Sequence, residues 1–181
     1  MLKKEEFTGK RLLLMGSSAF KEKELPPEVK EKIDEAINRN MTIIVGEARG
    51  ACRLYQDYLH SKGYIDVIVG HARSMRYNAG NWKTITYGDN LKEREKNMIK
   101  DTDSALIIWA DNSGVIASNL ERLKRRGIPT FLYEFENKTG RAKVSWLDPE
   151  RIYDSYYDMK KYWKNKKKEK KKEKKKEKHS K

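Results

Sequence analysis

Three short turns in this chain carry residue types that can hold an anion. Each stands between an apolar run and a helical pattern. The first is Gly16-Ser17-Ser18. Glycine lets the backbone approach a ligand and serine hydroxyls can donate to phosphate, although the same residues also make an ordinary strand-ending turn. The second is Gly46-Glu47-Ala48-Arg49-Gly50, with its two glycines four residues apart. A helix starting there offers free N–H groups and partial positive charge to an anion. Glu47 would repel phosphate. It suits an acceptor for ribose hydroxyls, a general base, or an exposed acid favourable to the helix start. The third is Asp111-Asn112-Ser113-Gly114, which reads either as a ligand turn or as a plain N-cap.

Other residues add less specific signals. Asn78, Gly80, Asn81 and Trp82 lie in a long middle loop, where Trp82 could stack on a base or pack locally. Arg94 sits in the charged run 92–96, where a solvated face competes with a phosphate-binding role. Cys52 follows the second turn closely. No histidine is placed to serve it, so a small packing residue is the better reading than a nucleophile. His60, His71 and His179 are scattered and have no metal-binding spacing, so no metal and no cofactor is expected.

The elements that must position these turns are legible as patterns. Residues 11–15, 41–45, 65–69, 104–109 and 129–133 are short apolar runs bounded by turn residues, which suits strands buried on both faces. Helical spacing of apolar residues follows Pro26-Pro27, recurs over 54–59 and 91–100, and then over 115–123. A short extended piece at 84–87, an edge strand at 142–147 and a last amphipathic helix over 149–163 complete the expectation. The apolar face of that helix, with Ile152, Tyr153, Tyr156, Tyr157 and Trp163, is expected to cover the parent domain. Strand and helix alternate almost five times. The expected class is therefore α/β, a mainly parallel sheet of about five strands with helices on both faces. In such sheets ligands bind at the carboxyl ends of the strands, where the strand order reverses, and the three turns all belong to that edge.

Composition divides the 181 residues in two. The chain holds 41 Lys+Arg against 27 Asp+Glu, a formal net charge of +14. Residues 164–181 have no apolar residue and carry 12 Lys against 3 Glu, so +9 of that charge belongs to them and +5 to residues 1–163. Without this segment the apolar share rises from 37% to about 41%, near that of an ordinary domain. The expected organisation is one α/β domain over 1–163 and a disordered, Lys-rich tail over 164–181. The tail reads as a solvating segment or as a salt-sensitive arm for nucleic acid, giving charge without base readout. The apolar runs are too short to cross a bilayer, so no membrane partner is expected. The first ten residues lead into only four or five apolar ones, which is not a secretory pattern. With a single cysteine there is no intramolecular disulfide framework, and a reducing, cytoplasmic setting is the expectation.

Taken together, Gly16-Ser17, the turn 46–51 and the stretch from Arg94 through Asn119 make the chain resemble the SLOG superfamily over about residues 11–133. This is the Rossmann-like group that includes the LOG ("lonely guy") nucleotide phosphoribohydrolases. Small SLOG proteins have a Gly-Asp-Ala-x-Gly-Ala-Asp motif; here Glu47 and Cys52 stand at its two aspartates. The loop from Asn78 to Trp82 is also similar to those members. The Arg-Lys-x-x-Met motif of LOG enzymes is matched at Arg94 and Met98, with Glu95 at the lysine. In their Pro-Gly-Gly-x-Gly-Thr-x-x-Glu motif, Gly114 matches, while Val115 and Ser118 stand for the threonine and the catalytic glutamate. The resemblance implies a Rossmann-like fold and a homo-oligomer. It also implies a nucleotide or nucleotide-derived ligand, held as by a sensor or regulator. The alternative it carries is N-glycosidic hydrolysis, in which Arg94 holds phosphate and Glu47 or Asp111 stabilises positive charge or activates water.

Overall fold

The computed structural model describes residues 4–153 and 156–179. The first half runs β1 (Arg11–Gly16), α1 (Pro27–Asn38), β2 (Thr42–Val45), α2 (Ala51–Ser61), β3 (Val67–His71) and β4 (Lys83–Thr86). The second half runs α3 (Leu91–Lys100), β5 (Ser104–Ala110), α4 (Gly114–Arg125), β6 (Thr130–Phe135), β7 (Ala142–Trp146) and α5 (Tyr156–His179). The strands form one sheet in the order β4-β3-β2-β1-β5-β6-β7. Neighbours are parallel except β6 and β7, which pair antiparallel.

This is the Rossmann-like α/β fold expected, with seven strands rather than five. The two additional strands, β4 and β7, are the sheet edges. Strand β5 is buried at every position, whereas β4 and β7 are largely exposed. An edge strand covered on fewer sides has no need of a continuous apolar run, so its pattern in the sequence is faint.

Side chains alternate across the sheet with the period of two that strands impose. Leu12, Leu14, Ile43, Val45, Leu106 and Ile108 face one core layer, where Val29 and Ile33 of α1 and Tyr55 and Leu59 of α2 pack. Leu13, Met15, Ile44, Ile68 and Ile107 face the other, against Met98 of α3 and Ile116, Leu120 and Leu123 of α4. Helices therefore cover both faces. Tyr55 does more than fill space. Its hydroxyl donates to Met15 O at 3.0 Å and accepts from Ile108 N at 3.1 Å, joining β1 to β5 near their carboxyl ends.

One expectation for the C-terminal part is corrected. Residues 149–153 are not helical. Asp148 takes the local hydrogen bonds, through its main chain from Arg151 N and through Oδ1 from Glu150 N. The Arg151 guanidinium then binds both carboxylate oxygens of Glu134 and lies over the rings of Trp109 and Tyr153. This anchor overrides helical spacing and buries Tyr153 completely in the domain core, as the covering role required. Ile152 is about half exposed, and the side chains of Tyr156, Tyr157 and Trp163 lie outside the described residues. Helix α5 extends through the Lys-rich segment to His179. Lysine and glutamate are good helix formers, and the repeat sets pairs at helical spacing, such as Lys166 Nζ to Glu169 Oε2 at 3.9 Å. Among the described residues, no helix is long and apolar enough to cross a membrane.

Candidate functional site

From β1 the chain builds outward through β2 and β3 to β4, then returns through α3 to β5 on the other side of β1. Strand order thus reverses between β1 and β5. The segments leaving these two strands pass to α1 on one face and α4 on the other. The divergence opens a crevice at the carboxyl ends, the usual place for a ligand in an open α/β sheet. A cleft of about 440 Å³ lies there.

The first turn contributes Gly16, Ser17 and Ser18 to its wall. A Cβ at Gly16 would stand 2.6 Å from Ala51 Cβ, so only glycine lets α2 start this close to β1. Ser17 is buried, and its hydroxyl accepts from Ala110 N at 2.9 Å, tying the turn to the end of β5. The Ser17 carbonyl accepts from Ala51 N at 3.2 Å, which holds the start of α2 against the same turn. The second turn contributes Gly46 and Arg49, and α2 contributes Arg53. Gly50 stands behind them as the N-cap of α2, packed on the backbone of Ser17 and Ser18. Ser113, the N-cap of α4, reaches the cleft from the third turn. Neither α2 nor α4 has a side-chain cap bond, and the first turns of both helices, through Arg53 and Val115, line the one hollow.

Arg94 reaches the cleft from α3 although it is 96% buried, its exposure being 4%. Its Nη1 donates to Glu47 Oε1 at 2.8 Å, and its Nε has no hydrogen-bond partner. Arg76, from the loop between β3 and β4, completes the charged wall. Arg49, Arg53, Arg76 and Arg94 line the cleft against one carboxylate, Glu95. The balance is positive and suits an anion.

Glu47 is not exposed and lies outside the cleft lining. It faces a shallower hollow beside it. Arg76 grips it with its main-chain N at 3.1 Å and Nε at 2.6 Å on Oε2, and with Nη2 at 2.9 Å on Oε1. Burial alone would raise its pKa, but the Arg76 hydrogen bonds and the charges of Arg76 and Arg94 outweigh that and hold the carboxyl below its usual range. A carboxylate so engaged is a poor proton acceptor and serves instead to hold two arginines in place. Asp111 is likewise committed. Its two oxygens accept from Asn137 N at 3.0 Å and Asn137 Nδ2 at 2.7 Å, fixing the turn before β7. It does not line the cleft, nor does Asn112 beside it, nor Gly114, where α4 begins.

Asn119 lies buried next to the cleft rather than on its surface. Its Nδ2 donates to Glu95 Oε2 at 3.0 Å, and its Oδ1 accepts from Arg122 at 2.8 Å. Asn81 and Trp82 belong elsewhere. The Trp82 indole donates to Tyr64 O at 2.9 Å, its ring packs against the α1–α2 core layer, and Asn81 is exposed in the adjacent turn. Cys52 touches the cleft but is 2% exposed, and burial pushes its thiol up to about 11. It is a packing residue in its protonated form, not a nucleophile.

Arg53, Arg76 and Glu95 are the residues that sequence reading missed. Arg53 stands four after Arg49, a spacing that places both toward one side of a helix start. Arg94 and Glu95 precede the buried Met98 and Ile99 by four, so the α3 core stripe could have been extended backward to include them. Arg76 carries no such signal. Among the described residues no group of three or more His, Cys, Asp or Glu could hold a metal ion. Comparison with known proteins finds no matching family model, no matching curated protein and no matching solved structure.

Proposed function

We propose that this domain binds a nucleotide or nucleotide-derived anion in the β1–β5 cleft and acts as a sensor or regulator, as its SLOG resemblance implies. One observation carries the reading: a cleft at the reversal of strand order, lined by four arginines and met by two uncapped helix starts. The unpartnered Nε of Arg94 adds a buried donor that an anionic acceptor would satisfy. The hydrolytic alternative would route through Glu47 or Asp111, and both carboxylates are occupied by other groups. The same proposal includes a homo-oligomer, for which Leu91 and Val115 offer exposed apolar side chains at the cleft rim. A reducing, cytoplasmic setting suits the free thiol of Cys52.

Native mass spectrometry followed by calorimetry with a panel of nucleoside mono- and diphosphates tests this. The expected outcome is binding with the ligand recovered intact, and a weakening of about tenfold or more in Arg53→Ala from loss of one charged contact. Free base released by wild type would favour the hydrolase, and Glu47→Gln should then abolish that release. Absence of both binding and turnover would end the proposal.

Helix α5 favours a second reading, a non-specific nucleic-acid arm. Residues 167–178 are all exposed, and Glu169, Glu173 and Glu177, four apart, share one side and leave the remaining surface to lysine. Lysines without aromatic neighbours neutralise phosphate but read no base. Deletion after Trp163 is expected to remove most affinity for duplex DNA at low salt while leaving the thermal transition of the domain in place. Wild-type affinity should fall steeply as salt rises. Undiminished affinity in the truncated protein would reject α5 as the binding element.

A further inference from the structure

Resting on the nucleotide-binding reading above, we infer that Glu95 is the cleft's hydroxyl acceptor and makes the site selective for a ribose over a deoxyribose phosphate. The argument starts from an asymmetry between two neighbouring carboxylates. Both Glu47 oxygens are filled by arginine donors within 3.1 Å. Glu95 is different. Its Oε2 accepts from Asn119 at 3.0 Å, while its Oε1 lies 3.6 Å from Arg94 Nη2, an ion-pair distance too long for a hydrogen bond. An ionised carboxylate has about four lone-pair sites, so Glu95 retains acceptor capacity.

Its setting makes that capacity directional. Glu95 lines the cleft from α3, and its side chain is only 11% exposed. Asn119 is fully buried and is itself held by Arg122, so the carboxylate is fixed from behind. Among the described residues that line the cleft, Glu95 is the only acid among four arginines. A carboxylate there repels the phosphate that the arginines attract, and it pairs with donors. A ligand satisfying both walls carries an anionic group for Arg49 and Arg53 at the start of α2. It also carries paired O–H donors for Glu95 on α3. A phosphorylated sugar with a vicinal diol has that chemistry, and its 2-deoxy counterpart lacks one of the two donors. A site built to bond a hydroxyl discriminates against the analogue lacking it, because its own acceptor is then left unpaired.

Calorimetry on the full-length protein decides the point. The probes are ribose 5-phosphate, 2-deoxyribose 5-phosphate, and the ribo and 2′-deoxyribo forms of the four common nucleoside 5′-monophosphates. Wild type should favour the ribo form by about tenfold or more for at least one pair. Glu95→Gln should reduce that ratio to within about threefold, since the amide replaces one acceptor oxygen with a donor. Should Glu95→Gln lose its thermal transition, Glu95→Asp, which keeps the charge but withdraws it, should show the same collapse of the ratio. Equal wild-type affinity for ribo and deoxyribo forms would overturn the role of Glu95 and leave the nucleotide-binding reading standing, as would an unchanged ratio in the variants. No binding of any phosphate-bearing probe would overturn both.

Discussion

Glu47→Ala is expected to destabilise the domain by about 3–5 kcal/mol, the usual cost of removing one partner from a buried ion pair. Glu47 and Arg94 are 1% and 4% exposed, so truncation leaves the Arg94 charge buried without its close counter-ion. Arg76 would lose its carboxylate too, but its side chain is 42% exposed and water screens it, so it adds little to that sum. Glu47→Gln keeps the shape and one acceptor and should cost less than Glu47→Ala. The pH dependence has a definite sign. The folded-state pKa of Glu47 lies below its unfolded value, so the carboxylate contributes stability above the ordinary carboxyl pKa of about 4.3. That contribution is lost as pH falls through the folded value. Urea unfolding at pH 7 and at a series of pH values below 5 would measure both effects. Wild type should lose more stability on acidification than Glu47→Gln. A loss below about 1 kcal/mol in Glu47→Ala at pH 7 would show that the arginines find water or other partners and that the network is not structural.

Gly50→Ala should cost about 3 kcal/mol and should also damage the cleft. Two independent penalties meet at this residue. Its backbone has φ 82° and ψ −131°, a conformation that side chains other than glycine's rarely adopt. A Cβ there would stand 2.5 Å from the Ser18 carbonyl oxygen and 2.6 Å from that of Ser17. Those obstacles are backbone atoms, so relief requires moving the first turn away from α2, and with it Ser17 and Ser18 on the cleft wall. Denaturant midpoints would report the stability loss, and nucleotide titration would report the displaced wall. Gly114→Ala is the matched control. Nothing lies within 4 Å of a Cβ at that position, so stability should stay within about 0.5 kcal/mol of wild type. Equal tolerance of alanine at both positions would refute the account of Gly50.

Legibility in the sequence follows burial and range. The five central strands must bury both faces, so each had to be an unbroken apolar run, and all five are found where those runs occur. The turns after β1, β2 and β5 are equally local, and the strand-order rule placed them at one edge, where Ser17, Gly46 and Ser113 do line one cleft. Trp82 was legible as either stacking or packing residue, and its environment settled it as packing.

The assignment of charge was beyond the sequence. A glutamate or arginine has the same letter whether it is solvated, paired or facing a ligand, and its state depends on partners brought close by the fold. Glu47 meets Arg76 and Arg94 across 29 and 47 positions, and Asp111 meets Asn137 across 26. Arg94 read as either a solvated residue of a charged helix or a phosphate ligand, and the packing of α3 against the sheet buries it together with Glu95. Short-range patterning alone therefore determined the order of elements and the edge where the three turns gather. Which carboxylate is neutralised by arginine and which retains acceptor capacity was decided by tertiary packing, because electrostatic pairing depends on distance in space and not along the chain.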